Sequence, residues 1–362
     1  MDRFSSIDFD RLTQTDLVYL LGLKGEEQKK LIEKANEVKL KSVGNIVYLR
    51  GLIEYSNVCA KNCYYCGIRR DNTADSKYVL THDEVLSCAE YAYNKGFGSL
   101  AIQSGEISNP NFVNTVESFL KEIKLKTNDG LGVTLSMGEQ SEEVFKRWLN
   151  AGAHRYLLRV ETSNRELYKK LHPNDNLHNF DNRVKTLRLL QKLGYNTGSG
   201  VMIGLPFQTL EDLANDLLFL KEIDVDMVGM GPYVEHAKTP LYKYKNELLP
   251  IYERFELSIN MVACLRLLLP NINIAATTAM QAIVKNGREQ AIIAGANVIM
   301  PNITPLKYRE NYLLYKDKPG TKEQIEDSIE SLTKSIEGIG HTIGFNERGD
   351  SLHFKLRNKI LD

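Results

Sequence analysis

The chain has 362 residues, 46 Lys and Arg against 46 Asp and Glu, and a formal net charge of zero. At 43% hydrophobic and 25% charged it has the balance of a soluble globular protein, long enough for one large α/β domain or two smaller ones. A neutral chain lacks the broad basic surface of a nucleic-acid binder, no stretch is apolar enough for a membrane span, and the acidic start MDRFSSIDFD is no secretory signal, so an intracellular, cytoplasmic protein without nucleic-acid or membrane partners is expected.

Residues 1–44 are polar and rich in Lys and Glu around Gly25–Lys41, which predicts an N-terminal helical extension. Short apolar strands then alternate with amphipathic helices. Strand Leu52–Tyr55 precedes a cysteine loop and helix His82–Lys95. Ser99–Gln103 precedes helix Asn111–Leu125, and Gly132–Ser136 precedes helix Ser141–Asn150. Arg155–Val160 leads to a short helix and then Asn182–Leu193. Gly198–Ile203 leads to Thr209–Glu222, and Met227–Gly231 to a long loop and Tyr252–Leu269. Ile272–Ala276 leads to Arg288–Ala294, and Asn297–Met300 to the last loop and helices. Glycines at Gly96, Gly152, Gly194 and Gly295 punctuate four of the helix ends. Eight strand–helix units over residues 45–310 predict a (β/α)8 barrel of TIM type, with 311–362 as a C-terminal helical segment packed on it. An open doubly wound sheet is the alternative, but no GxGxxG follows the first strand.

Three of the five cysteines fall within eight residues, Cys59-Ala-Lys-Asn-Cys63-Tyr-Tyr-Cys66. Dense thiols in a reducing compartment point to metal rather than to disulfides. A structural zinc site needs four ligands, and no fourth stands near; three thiolates instead suit an iron–sulfur cubane with one iron left open. An electron-transfer module would complete its cluster with a fourth cysteine, and a zinc-stabilised binding protein would need one too. Cys88 and Cys264 sit in helical apolar patterns and read as core thiols.

In a parallel barrel the chemistry lies at the C-terminal strand ends, and the cysteine loop follows the first strand on that face. Polar residues at the other strand ends become candidates with it: Ser104, Gly105 and Glu106; Thr134 and Ser136; Arg159 and Glu161; Met202; Thr277 and Thr278. Arg155, Leu157, Arg159 and Glu161 share one side of their strand by alternation. Each also has a plainer reading. Ser104, Thr134 and Thr277 could cap loops, Glu106 and Glu139 could be solvated acids, Arg159 and Glu161 could be a structural ion pair, and Met202 could fill the barrel.

The Cys-x3-Cys-x2-Cys loop, with Tyr65 before its last cysteine, resembles the radical S-adenosylmethionine (SAM) superfamily. The blocks Leu52–Cys59, Gln103–Glu106, Arg155–Arg159, Gly204-Leu205-Pro206, Pro240 in its Thr-Pro turn, Ala276–Met280 and Gly295–Asn302 resemble, more narrowly, the FeFe-hydrogenase maturases of that superfamily. The resemblance implies a 4Fe–4S cluster on Cys59, Cys63 and Cys66, with SAM chelating the open iron and being cleaved reductively to a 5′-deoxyadenosyl radical. It implies that Ser104, Gly105 and Glu106 receive the SAM amino group, and that Tyr65, Ser136, Glu161, Arg183 and Met202 surround the cluster and the rest of SAM. Thr134, Arg159, Thr277 and Thr278 would form a deeper cavity for a substrate carboxylate or a small anionic iron complex. It further implies a role in building the di-iron subcluster of the hydrogenase H-cluster, a flavodoxin or ferredoxin as reductant, and contact with other maturases. Some of these maturases carry three extra C-terminal cysteines for an auxiliary cluster; Tyr315–Gly340 has none. An amino-acid mutase of the 3-methylornithine synthase type, or an enzyme like biotin synthase, is the alternative.

Overall fold

The computed structural model describes residues 3–73, 76–315, 318–319 and 325–359. Its strands are β1 (Ile46–Ser56), β2 (Ser99–Ser104), β3 (Gly132–Ser136), β4 (Arg155–Leu157), β5 (Asn196–Ser199), β6 (Met202–Ile203), β7 (Met227–Val228), β8 (Gly231–Pro232), β9 (Asn273–Ile274), β10 (Val298–Ile299) and β11 (Thr342–Gly344). All pair in parallel, in the order β10-β1-β2-β3-β4-β5-β7-β9. The ring closes between β9 and β10: the Asn297 N–H donates to Ile274 O and the Ala276 N–H to Val298 O, both at 2.9 Å. The chain is therefore an α/β barrel of eight parallel strands, as the alternation of elements predicts.

Many of the helices start where side chains cap them. Thr81 and Thr209 form capping boxes with Glu84 and Asp212, and Asn109, Ser141, Asn164 and Asn179 accept from the first turns that follow. The N-terminal helices Gln14–Leu21 and Gly25–Ser42 pack on helices Leu210–Glu222 and Ile251–Leu268.

Two expectations about elements change. The fifth and sixth strands are not continuous: β6 and β8 continue β5 and β7 after a break and pair with each other. The cause is a close backbone crossing, since a Cβ on Gly200 would lie 1.9 Å from Gly229 O. The C-terminal segment is not wholly helical either. Between helices Ile325–Gly338 and Leu352–Arg357 lies β11, which pairs with the start of β1. Beyond β11, Asp350 closes the barrel floor, accepting from Arg155 Nε at 2.9 Å. Arg155 thus shares the inward side of its strand but serves the floor, not the C-terminal face.

Candidate active site

A cavity of about 350 Å³ opens at the C-terminal ends of the strands. Cys59, Cys63 and Cys66 line it together with Tyr65, Ser104, Gly105, Glu106, Ser136, Arg159, Glu161, Arg183, Met202, Thr277 and Thr278. Residues from most of the barrel strand ends thus line one cavity. Thr134 is the exception: it is buried in β3, two residues before Ser136, does not line the cavity, and among the described residues its hydroxyl has no hydrogen-bond partner.

The cysteine loop is held by its backbone. Ser56 Oγ donates to Tyr78 O at 2.8 Å and accepts from the Val58 N–H at 3.1 Å. The Ala60 N–H donates to Glu106 O at 2.8 Å and the Tyr64 N–H to Leu171 O at 2.9 Å. The Asn62 N–H donates to His178 Nε2 at 2.9 Å, while His178 Nδ1 lies 2.6 Å from Asp175 Oδ1, which assigns the ring proton to Nδ1. Gly105 fits against this loop because it has no side chain: a Cβ there would lie 2.1 Å from Val58 O and 2.6 Å from Cys59 Cβ.

Burial pushes all three thiols up, Cys63 to about 12, so near neutrality they are protonated and release their protons when they take a metal. The Glu106 N–H points at Cys59 Sγ from 3.3 Å, the kind of contact that stabilises a bound thiolate. Among the described residues no three His, Cys, Asp or Glu side chains close on a single ion. Three thiols spread around a cavity wall, with no fourth ligand, fit the corners of a cluster better than a lone zinc.

Beside the thiols lies a ring of four charges. Lys61 Nζ is 2.8 Å from Glu139 Oε2 and 3.2 Å from Glu106 Oε1, and it also donates to Leu177 O. Arg183 Nε is 3.0 Å from Glu139 Oε1, and Arg183 Nη2 3.9 Å from Glu106 Oε2. The Glu139 N–H donates to Glu106 Oε2 at 2.9 Å. The first Arg183 contact lacks hydrogen-bond geometry, so Glu139 Oε1 and Arg183 Nε remain buried with bonding capacity to spare. Glu106 and Glu139 are therefore not solvated acids. Glu161, whose φ of +68° marks the turn after β4, accepts from Arg159 Nε at 3.1 Å and Nη2 at 2.8 Å. The plainer reading of that pair holds in this structure, and it also faces the cavity. Thr277 Oγ1 reaches Met230 O at 3.4 Å, and Thr278 Oγ1 lies 2.9 Å from the Tyr315 hydroxyl.

Sequence reasoning missed several lining residues: Lys61, Tyr168, His172, Glu54, Tyr312, Tyr315 and Lys318. His172 Nδ1 lies 2.9 Å from Tyr168 O and Nε2 lies 3.4 Å from the Tyr65 hydroxyl; burial lowers its pKa to about 3, so it is a neutral brace. Glu54 is wholly buried in β1 and pairs with Lys318, whose Nζ also donates to Tyr312 O at 2.9 Å. A lysine between Cys59 and Cys63 and a glutamate amid Leu52–Tyr55 were the available signals. Cys88 and Cys264 are buried on helices His82–Asn94 and Ile251–Leu268, outside the cavity lining.

Residues 53–220 match the Radical SAM superfamily. The chain is 46% identical over 315 residues, 87% of its length, to the [FeFe] hydrogenase maturase subunit HydE of Thermotoga maritima, 86% of which is covered. The chain belongs to the radical SAM superfamily, and within it to the HydE family. It is also similar to a 3-methylornithine synthase of Methanosarcina acetivorans, 28% identical over 94% of this chain and 93% of that protein. A crystal structure of methylornithine synthase superposes with a TM-score of 0.78 at 23% identity, covering 93% of this chain and 95% of that one, which establishes the shared fold. As a radical SAM enzyme the chain works with a 4Fe–4S cluster and SAM. Among the described residues no helix is long and apolar enough to cross a membrane.

Proposed function

We propose that this enzyme acts in the cytoplasm in assembly of the di-iron subcluster of FeFe-hydrogenase, on a small iron complex bearing a cysteine-derived sulfur. The observation that carries this reading is the 46% identity to HydE over most of both chains. The reductant is a flavodoxin or ferredoxin, and the substrate and product pass between this enzyme and the other maturases.

In this reading Cys59, Cys63 and Cys66 hold the cluster, which when bound supplies the electron that cleaves SAM. The rest is positioning by the chain's own groups. The Glu106 carboxylate and the Ser104–Gly105 backbone receive the SAM ammonium. Arg183 takes the SAM carboxylate, and its bonding capacity together with that of Glu139 supports this placement. Ser136, Glu161 and Met202 border the nucleoside, and Tyr65 closes the wall beside the cluster. Arg159 spends Nε and Nη2 on Glu161 and Val201 O, and Nη1 makes no hydrogen bond among the described residues. Nη1 with Thr277 and Thr278 offers donors for an anionic substrate. Thr134 joins this group by the resemblance alone, and its buried hydroxyl has no hydrogen-bond partner among the described residues.

A sulfur donor of the biotin-synthase kind would need a second cluster, and the two remaining cysteines lie outside the cavity lining. The test is a cell-free hydrogenase maturation mixture lacking only its HydE. The reconstituted chain should restore hydrogenase activity. Intact SAM cleavage without that restoration, or formation of 3-methylornithine, overturns the assignment.

A further inference from the structure

The rim outside the cysteine loop carries features that the chemistry within the barrel does not use. Phe207 is 43% exposed, and its φ is +68°. A bulky side chain is rare in that left-handed conformation, where glycine serves a turn better, and exposure returns nothing for it. Its ring meets that of Tyr244 edge-on, with centroids 4.7 Å apart. Lys170 Nζ lies 4.6 Å from the Phe207 ring centre and Lys243 Nζ 4.7 Å from that of Tyr244. On the same short helix as Tyr244, Lys245 Nζ lies 4.6 Å from the Tyr242 ring centre. Among the described residues Lys170, Lys243 and Lys245 have no carboxylate within ion-pair distance; Glu166 pairs with Lys169 instead. In a chain of zero net charge this is a local positive strip with an aromatic centre.

The strip lies against the cysteine loop. Tyr244 packs on a small apolar cluster that includes Leu171, Leu241, Tyr64 and Tyr65. The Tyr64 N–H donates to Leu171 O at 2.9 Å, and Tyr64 O accepts from the Leu241 N–H at 3.1 Å. Lys170 precedes Leu171, Lys243 follows Leu241 by two, and Tyr64 follows Cys63 directly. Both edges of the strip are thus one backbone hydrogen bond from the loop that bears the thiols.

We propose that this strip is the docking surface for a small acidic protein that passes single electrons to the group held by Cys59, Cys63 and Cys66; this rests on the cluster reading above. Lysines with no carboxylate partner among the described residues steer an acidic protein to the rim, and the exposed Phe207 ring anchors it. One electron leaves the donor and enters that group, with no bond made or broken between the proteins.

The test uses flavodoxin as the probe. Oxidised flavodoxin titrated calorimetrically into the cluster-free full chain should bind, and raised salt should weaken it. The Lys170→Glu/Lys243→Glu double variant should lose about tenfold or more in affinity, and Phe207→Gly several-fold, with unchanged circular dichroism. In the reconstituted enzyme the double variant should slow SAM cleavage driven by reduced flavodoxin and leave the dithionite-driven rate unchanged. Flavodoxin affinity unaffected by the substitutions overturns the proposal, and so does an equal loss with dithionite. A parent chain that binds flavodoxin but cleaves no SAM with dithionite refutes the cluster reading instead, and the titration still decides where the donor docks.

Discussion

Gly105→Ala is the sharpest local test of how the cysteine loop is positioned. The added Cβ would lie 2.1 Å from Val58 O and 2.6 Å from Cys59 Cβ, whereas ordinary contact begins at 3.4 Å, so strand end and loop must part by about 1.3 Å. Neither obstacle is the tip of a flexible side chain. The two segments are also tied together, by the Gly105 N–H to Ser56 O at 2.9 Å and the Ala60 N–H to Glu106 O at 2.8 Å. Overpacking of this kind costs about 1–3 kcal/mol, and a broken backbone hydrogen bond adds about 1 kcal/mol. The cluster-free variant should therefore melt several degrees lower, and because Cys59 is among the atoms displaced, it should retain less iron after reconstitution. Gly338→Ala, where a Cβ meets nothing within 4 Å, serves as control. Thermal unfolding by circular dichroism and iron assay give both readouts. A Gly105→Ala chain with the parent's melting temperature and full iron would refute the close approach.

Lys61→Met should leave Glu106 and Glu139 sharing Arg183 alone. Breaking a buried ion network costs about 3–5 kcal/mol, read from denaturant midpoints, and equilibrium dialysis should show SAM bound at least about tenfold more weakly. Lys39 is fully buried, 2.8 Å from both Ile292 O and His341 Nε2, and burial first, then Arg266, pushes its pKa down to about 6. Between that value and the ordinary 10.5 the unfolded chain binds one more proton, so Lys39 makes stability rise with pH across the window; its cost is on the order of 3 kcal/mol at pH 8 and larger below. Lys39→Met should flatten that rise between pH 6 and 9, and an undiminished slope in urea unfolding would contradict it. Phe207→Gly relieves a left-handed backbone worth about 1–2 kcal/mol and loses one aromatic contact worth about 0.5–1.5 kcal/mol and an exposed cation–π contact worth about 0.5–1 kcal/mol, so its melting temperature should stay within a few degrees of the parent's.

The barrel was legible because many of its helices carry their own start or stop, such as Thr81 with Glu84 or the positive-φ Gly194 before β5. The cysteine loop was legible because its spacing is local. What was hidden depends on contacts distant in sequence. The breaks between β5 and β6 and between β7 and β8 arise where Gly200 meets Gly229, which no periodicity records. β11 is three residues long, and its partner is the start of β1, nearly 300 positions earlier. Lys61 and Glu139 look like solvent charges until the fold places them together, and Lys318 acquires its meaning from Glu54. Thr134 was placed by its position near the end of the third strand and by the family resemblance, and neither gives the depth of a side chain along the barrel.

Anaerobic reconstitution with iron and sulfide, followed by addition of dithionite and SAM, tests the central claim most directly. The chain should take up iron and sulfide in equal amounts and release 5′-deoxyadenosine and methionine, and a Cys63→Ala variant should do neither. Zinc bound without sulfide, or deoxyadenosine formed undiminished by the Cys63→Ala variant, would contradict it.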